Sequence, residues 1–243
     1  MLMHFSLHRL CSCLLLTAIA AVPAGGAIER SLEKTFTVAP GSVVKVDVSG
    51  AEIRTEVGPA GTVHVVLKER FRTDDAAEAD ELLKHFEITC AQAGDTVRLV
   101  VKPKRGLGFS WSWNSKVAFR PLLTVPADVR LELDTSGGSI RVDGEMRAAV
   151  RANTSGGSIA ADGGTDLNLD TSGGSIHVGV DPAARLFVAA DTSGGSAKVE
   201  GFAAAFEVER KEHDHVSGRL NGGGGRLRAD TSGGSIRIGP ASK

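Results

Sequence analysis

Five near-copies of one heptad constrain this chain more than any other feature. The first reads Asp134-Thr135-Ser136-Gly137-Gly138-Ser139-Ile140. The others begin at Asn153, Asp170, Asp191 and Asp230, and only Asn153 and Ala197 depart from the pattern. The starts lie 19, 17, 21 and 39 residues apart; the last gap is about two periods, and a worn copy, His215-Val216-Ser217-Gly218, fills it as a further expected coil. A fixed period of roughly 19 residues marks a stacked repeat, whose units cannot bury an apolar face alone. Apolar residues alternate on both sides of each Gly-Gly. Leu131, Leu133, Ile140 and Val142 do so around the first, and the same slots hold Val150, Ala152, Ile159 and Ala161 in the second. They hold Leu167, Leu169, Ile176 and Val178 in the third, Val188, Ala190, Ala197 and Val199 in the fourth, and Leu227, Ala229, Ile236 and Ile238 in the last. Alternation about a glycine corner reads as strand, bend, strand with one buried face.

Copies stacked at the strand spacing of ~4.8 Å would bury these faces in a continuous core, with ladders of Ser and Thr hydroxyls and nested glycines at the corner. Parallel crossovers are right-handed in nearly all folds. The expected fold is therefore all-β: a right-handed single-stranded parallel β-solenoid, with an N-terminal strand-rich region and one short helix. Two or three faces both fit the pattern. The rival is a series of antiparallel hairpins with residues 135–138 as the first loop. A meander has no need of one turn sequence at every tip, and a stack does.

Three segments follow. Residues 1–24 read as a secretory signal peptide, with Arg9 ahead of the apolar run 14–22 and small residues for cleavage after Ala24 or Ala27. That run is too short for a membrane span, so the mature chain is expected to carry none. Residues 25–125 form a β-rich region with strands at 35–38, 43–48, 53–57, 62–71, 88–91, 96–102 and 117–125. A helix is expected over 74–86, where Ala76, Ala79, Leu82, Leu83 and Phe86 keep helical spacing; it would cover an end or flank of the sheet. Val44, Val46 and Ile53 match inward slots of the heptad units, which makes 43–54 a first, degenerate coil. Residues 126–240 are the repetitive solenoid. With 30 Gly and 5% aromatic residues, the composition suits a narrow core. A net charge of −1 gives no pull toward nucleic acid. Cys90 alone remains after the leader and alternates with Ile88, as a buried small hydrophobe would.

Three features could carry function. Asp134, Asp170, Asp191 and Asp230, with Asn153 among them, would form a column along the stack. Hydrogen bonds within the turns account for such acids better than calcium does, because the calcium-binding repeat has a different Gly/Asp spacing. His213, Asp214 and His215 are the densest set of metal-ligand types, but neighbouring strand residues point opposite ways and their setting is a charged loop, so no metal or cofactor is expected. Lys104, Arg105, Phe109, Trp111 and Trp113 make a basic aromatic segment suited to a glycan, a membrane interface or an envelope protein; an apolar strand face packed inward explains it equally simply. No catalytic elbow, phosphate loop or zinc-ribbon spacing is present.

The signal peptide, Thr35-Phe36-Thr37-Val38, Asp47-Val48-Ser49-Gly50, the helix, Val125-Pro126 and the heptad series together resemble a widespread bacterial family of unknown function labelled putative adhesin. The resemblance implies an extracytoplasmic β-solenoid, in the periplasm or at the cell surface, with no established enzymatic activity. The expected function is a monomeric, non-enzymatic, adhesin-like binding or envelope-scaffold module. The alternatives are a polysaccharide-active enzyme on a solenoid and a scaffold that polymerises end to end.

Overall fold

The computed structural model describes residues 22–23, 26–104, 115–202 and 205–241. Before the heptads come β1 (Val22–Pro23), β2 (Ile28–Thr37), β3 (Val43–Val48), β4 (Ile53–Val57), β5 (Thr62–Phe71), α1 (Ala76–Lys84), β6 (Phe86–Ala93), β7 (Thr96–Pro103) and β8 (Val117–Val125). The heptad region continues with β9 (Arg130–Thr135), β10 (Ile140–Met146), β11 (Val150–Thr154), β12 (Ile159–Gly163), β13 (Asp166–Thr171), β14 (Ile176–Val180), β15 (Leu186–Thr192) and β16 (Ala197–Val199). It closes with β17 (Phe206–Lys211), β18 (His215–Leu220), β19 (Gly225–Thr231) and β20 (Ile236–Pro240).

These strands form two ten-stranded sheets. The first runs β1-β2-β5-β8-β4-β10-β12-β14-β20-β16, and the second β6-β7-β3-β9-β11-β13-β19-β15-β18-β17. Each heptad turn links a strand of one sheet to a strand of the other, so a coil has two faces. Six coils stack in the same order in both sheets: β3–β4, β9–β10, β11–β12, β13–β14, β19–β20 and β15–β16. The hairpin alternative fails here, because β9 and β10 belong to different sheets.

The inward slots superpose as their alternation demands. Val46, Leu133, Ala152, Leu169, Ala229 and Ala190 are paired in parallel register along one column. Ile53, Ile140, Ile159, Ile176, Ile236 and Ala197 form another on the facing sheet. All are buried in one core that runs from Phe36 to Ile238 without a break at residue 126. Each fully buried Leu or Ile contributes about 1.5–3 kcal/mol relative to exposure.

Two expectations need correction. The sheets are mixed, so a single-stranded parallel solenoid does not describe the whole chain. Parallel pairing holds through the six coils, while β1, β2, β5, β6, β17 and β18 pair antiparallel at the ends. The stretch at 215–218 is also no coil. It lies on β18, which pairs antiparallel with β15 and forms a hairpin with β17. The chain passes this hairpin and returns to insert β19–β20 between the third and fourth heptad coils. Equivalent turn chemistry makes either neighbour an acceptable seat, and sequence order does not decide it.

The turn explains its own letters. Thr154 Oγ1 donates to the Gly138 carbonyl of the coil beneath at 2.8 Å and accepts from the Gly157 N–H of its own turn at 3.3 Å. Thr171, Thr231 and Thr192 repeat both bonds. The second serines form the expected ladder: the Ser158 N–H donates to Ser139 Oγ, Ser175 to Ser158, Ser235 to Ser175 and Ser196 to Ser235, at 3.1–3.2 Å. The second glycine must be bare: a Cβ on Gly157, Gly174 or Gly234 would fall inside 3.0 Å of the backbone of the coil beneath. Ala51 occupies that slot in the first coil, where no heptad turn lies beneath.

The helix is capped at Asp75, whose Oδ1 accepts from the Ala77 N–H at 2.8 Å. Its buried Ala79 and Leu82 pack with Phe71, Phe86 and Val117 into a second, small cluster. The helix thus joins β5 of one sheet to β6 of the other at the N-terminal end of the stack, as the predicted covering role requires.

Candidate functional site: the outer faces of the stack

Period two sends every second strand residue outward, and parallel register turns those residues into columns. On the second sheet, the residue before each turn threonine, or before Val48 in the first coil, gives Asp47, Asp134, Asn153, Asp170, Asp230 and Asp191, extended by His215 across the antiparallel pair. Like charges on neighbouring strands repel, and this column is compensated from its sides and ends. Lys102 meets Asp47 at 2.5 Å, Arg228 meets Asp230 at 2.6 Å, and His215 Nδ1 meets Asp191 Oδ1 at 2.5 Å. Burial holds the Asp134 carboxyl above its ordinary range; Asp47 and Glu132 push the same way, while a hydrogen bond from the Asn153 amide and the charge of Lys45 oppose them. Compensation therefore comes from neighbouring columns and from Asn153 rather than from the hydrogen bonds within the turns that the sequence suggests.

His215, Asp214 and His213 do not converge. His213 and Asp214 occupy the exposed bend between β17 and β18, and their carbonyls accept from the Ala197 and Thr192 N–H groups. Among the described residues no group of three or more His, Cys, Asp or Glu side chains is placed to hold a metal. His215 instead lies in a row that sequence reading missed, Asp191–His215–Ser217, with His215 Nε2 3.2 Å from Ser217 Oγ. The only sequence signal for it was a one-residue gap between His and Ser on one strand. Acyl transfer would also require donors aimed at a developing oxyanion. The backbone N–H groups of β18 lie between β15 and β17 in two ladders, so they serve the sheet. The row fastens the terminal hairpin to the last coil.

Beyond the acid column, the second sheet carries a shallow groove of about 380 Å³. Arg130, Arg151, Arg226 and Arg228 line it with Glu132, Asp166 and Asn168. On the first sheet, Arg54, Arg141, Ala160, His177, Arg237 and Lys198 share a column. Asp143 and Glu200 offset parts of it, at 2.6 Å from Arg141 and 3.7 Å from Arg237.

Lys104 is exposed at the end of β7, its N–H bonded to the His85 carbonyl at 2.8 Å. Arg105, Phe109, Trp111 and Trp113 lie outside the described residues, as does the expected signal peptide apart from Val22–Pro23. Cys90 is buried, and loss of solvation pushes its thiol up to about 11. It is the inert small hydrophobe expected of it. No helix among the described residues is long and apolar enough to cross a membrane.

No protein-family model and no curated protein matches the chain. Among solved structures, one described as a putative cell adhesion protein from Clostridium sporogenes aligns over 87% of this chain and 100% of its own, with a TM-score of 0.58 at 12% identity. A putative adhesin from Bacteroides fragilis aligns over 87% and 97% of the two chains (TM-score 0.37, 8% identity). Another from Parabacteroides distasonis aligns over 86% and 97% (TM-score 0.35, 11% identity). These last two are too distant in shape to carry argument. The chain is thus similar in fold to the Clostridium sporogenes protein described as a putative cell adhesion protein.

Proposed function

We propose that this chain is an exported, non-enzymatic binding or scaffold module of the bacterial cell envelope, adhesin-like in manner. The observation that carries this reading is the set of outward columns: charged side chains held at the coil spacing by a core and turns with little freedom to move. Such a face suits an extended, repeating partner and is poorly suited to enclosing a small substrate. The likeness of fold to the Clostridium protein supports the same reading. We read the coils as right-handed, residues 25–125 as an N-terminal region built onto the repetitive part, and the segment with Lys104, Arg105, Phe109, Trp111 and Trp113 as a second adhesive element.

The test is retention of envelope material by the purified mature chain, together with analysis of that material for new reducing ends or unsaturated products. Retention without conversion is expected, weakened by deletion of residues 104–115. Conversion would favour the polysaccharide-active alternative, and failure to retain any envelope fraction would contradict the proposal.

A further inference from the structure

Two unsatisfied features lie in adjacent rows on the outer face of the second sheet, Arg151 in line with Glu132 and Asn168, and Arg226 in line with Asp166 and Phe187. Arg151 and Arg226 line the groove, and their side chains make no ion pair or hydrogen bond to any described residue. Glu132 is taken by Lys45 at 2.5 Å, and Asp166, opposite Arg226 in the register, makes no ion pair with it. Next to Arg226 on the following coil stands Phe187, one of two large hydrophobic residues exposed among those described, at 45%. Its ring is held in place: Arg219 lies 5.6 Å from its centre, and Gly223 is so close that a Cβ there would fall inside 3.0 Å of the ring. An aromatic ring fixed in solvent beside cations is a platform for a ligand with both an apolar face and a negative charge.

We propose that these two adjacent rows bind a linear polysaccharide bearing carboxylates, a proposal that rests on reading the chain as a binding module and names the ligand class. Arg151 and Arg226 take carboxylates through their forked N–H donors. Asn168, between Arg151 and Arg228 in register, offers an amide to sugar hydroxyls, and Phe187 takes the apolar face of a sugar ring. Successive coils repeat at ~4.8 Å, so the rows present their groups at intervals, as a polymer does. Asp166 and the neighbouring acid column confine the favourable contacts to the carboxylates that lie over Arg151 and Arg226. An acidic peptide would leave Phe187 without a sugar to stack on.

The probe is polygalacturonate, measured by calorimetry and affinity electrophoresis against neutral dextran and poly-glutamate. The wild-type chain binds polygalacturonate, more weakly as salt rises, and binds dextran and poly-glutamate far less. Arg151→Ala with Arg226→Ala weakens binding by at least about tenfold, and Phe187→Ala by severalfold. Melting temperatures serve as the folding control, since all three side chains face solvent. Absence of polygalacturonate binding, full binding by the double-arginine variant, or equal binding of poly-glutamate would each overturn the proposal. Envelope retention separates the two levels. If it survives in the arginine variant, only these rows are lost as the site; if the wild-type chain shows none, the binding-module reading falls too.

Discussion

Two glycines sit side by side in each turn, and the structure asks different things of them. A Cβ on Gly156 would meet the coil beneath at 3.6 Å, ordinary van der Waals contact, whereas one on Gly157 would press inside 3.0 Å of the backbone around Gly138 and Ser139. Gly157→Ala is expected to destabilise the fold by about 3 kcal/mol or more, and Gly156→Ala by less than about 1 kcal/mol. Urea denaturation of the two variants measures the difference, and equal losses would contradict the stacked turn. Glu69 gives a second test. It is 7% exposed on β5, and burial raises its pKa above the ordinary carboxylate range, with Arg30 opposing. The folded chain then holds a proton that the unfolded chain releases, so the stability from this group is present at acid pH and lost as pH rises through the folded value. Glu69→Gln is expected to stabilise at about pH 7 and to give no gain at about pH 4. Denaturant midpoints at both values check the sign.

At the scale of elements, what was legible in the sequence and what was not divide on physical lines. The sequence marks the strands at 43–48, 53–57, 62–71 and 117–125 to their ends, and its alternation picks out the inward slots of every heptad coil. Period-two alternation is a local property that the core enforces residue by residue. Pairing is not local. Nothing in 206–220 announces that β18 runs antiparallel to β15 and β17 antiparallel to β18, because the alternation of an end strand looks like that of a coil strand. The basic aromatic segment stayed an expectation, and the arginine groove went unseen, since its members come from β9, β11, β13 and β19 and meet only through the register. The end strand β17 is exposed beyond Phe206 and carries Glu207, Glu209, Arg210 and Lys211, charges that blunt an open edge against pairing with another chain. Glu207→Val with Lys211→Val is expected to produce concentration-dependent association in sedimentation velocity where the parent chain stays monomeric. Unchanged sedimentation would remove edge protection as the role of these charges.

For the molecule as a whole, the stack is one core whose coil order departs from chain order. The helix covers the end where the first coil begins, and the β17–β18 hairpin extends only the second sheet beyond the last coil. Neither end presents a bare coil on both sheets, which weighs against end-to-end growth and fits a single unit offering its sides. Superposition of equivalent residues underlies the columns, the groove and the proposed ligand alike. The most direct test is cysteine pairing along the file of first serines in a Cys90→Ala background. Ser172→Cys with Ser232→Cys should close an intramolecular disulfide under mild oxidation, because their coils are neighbours. Ser172→Cys with Ser193→Cys should not, because the last coil stands between them. Efficient closure of the second pair and failure of the first would contradict the account.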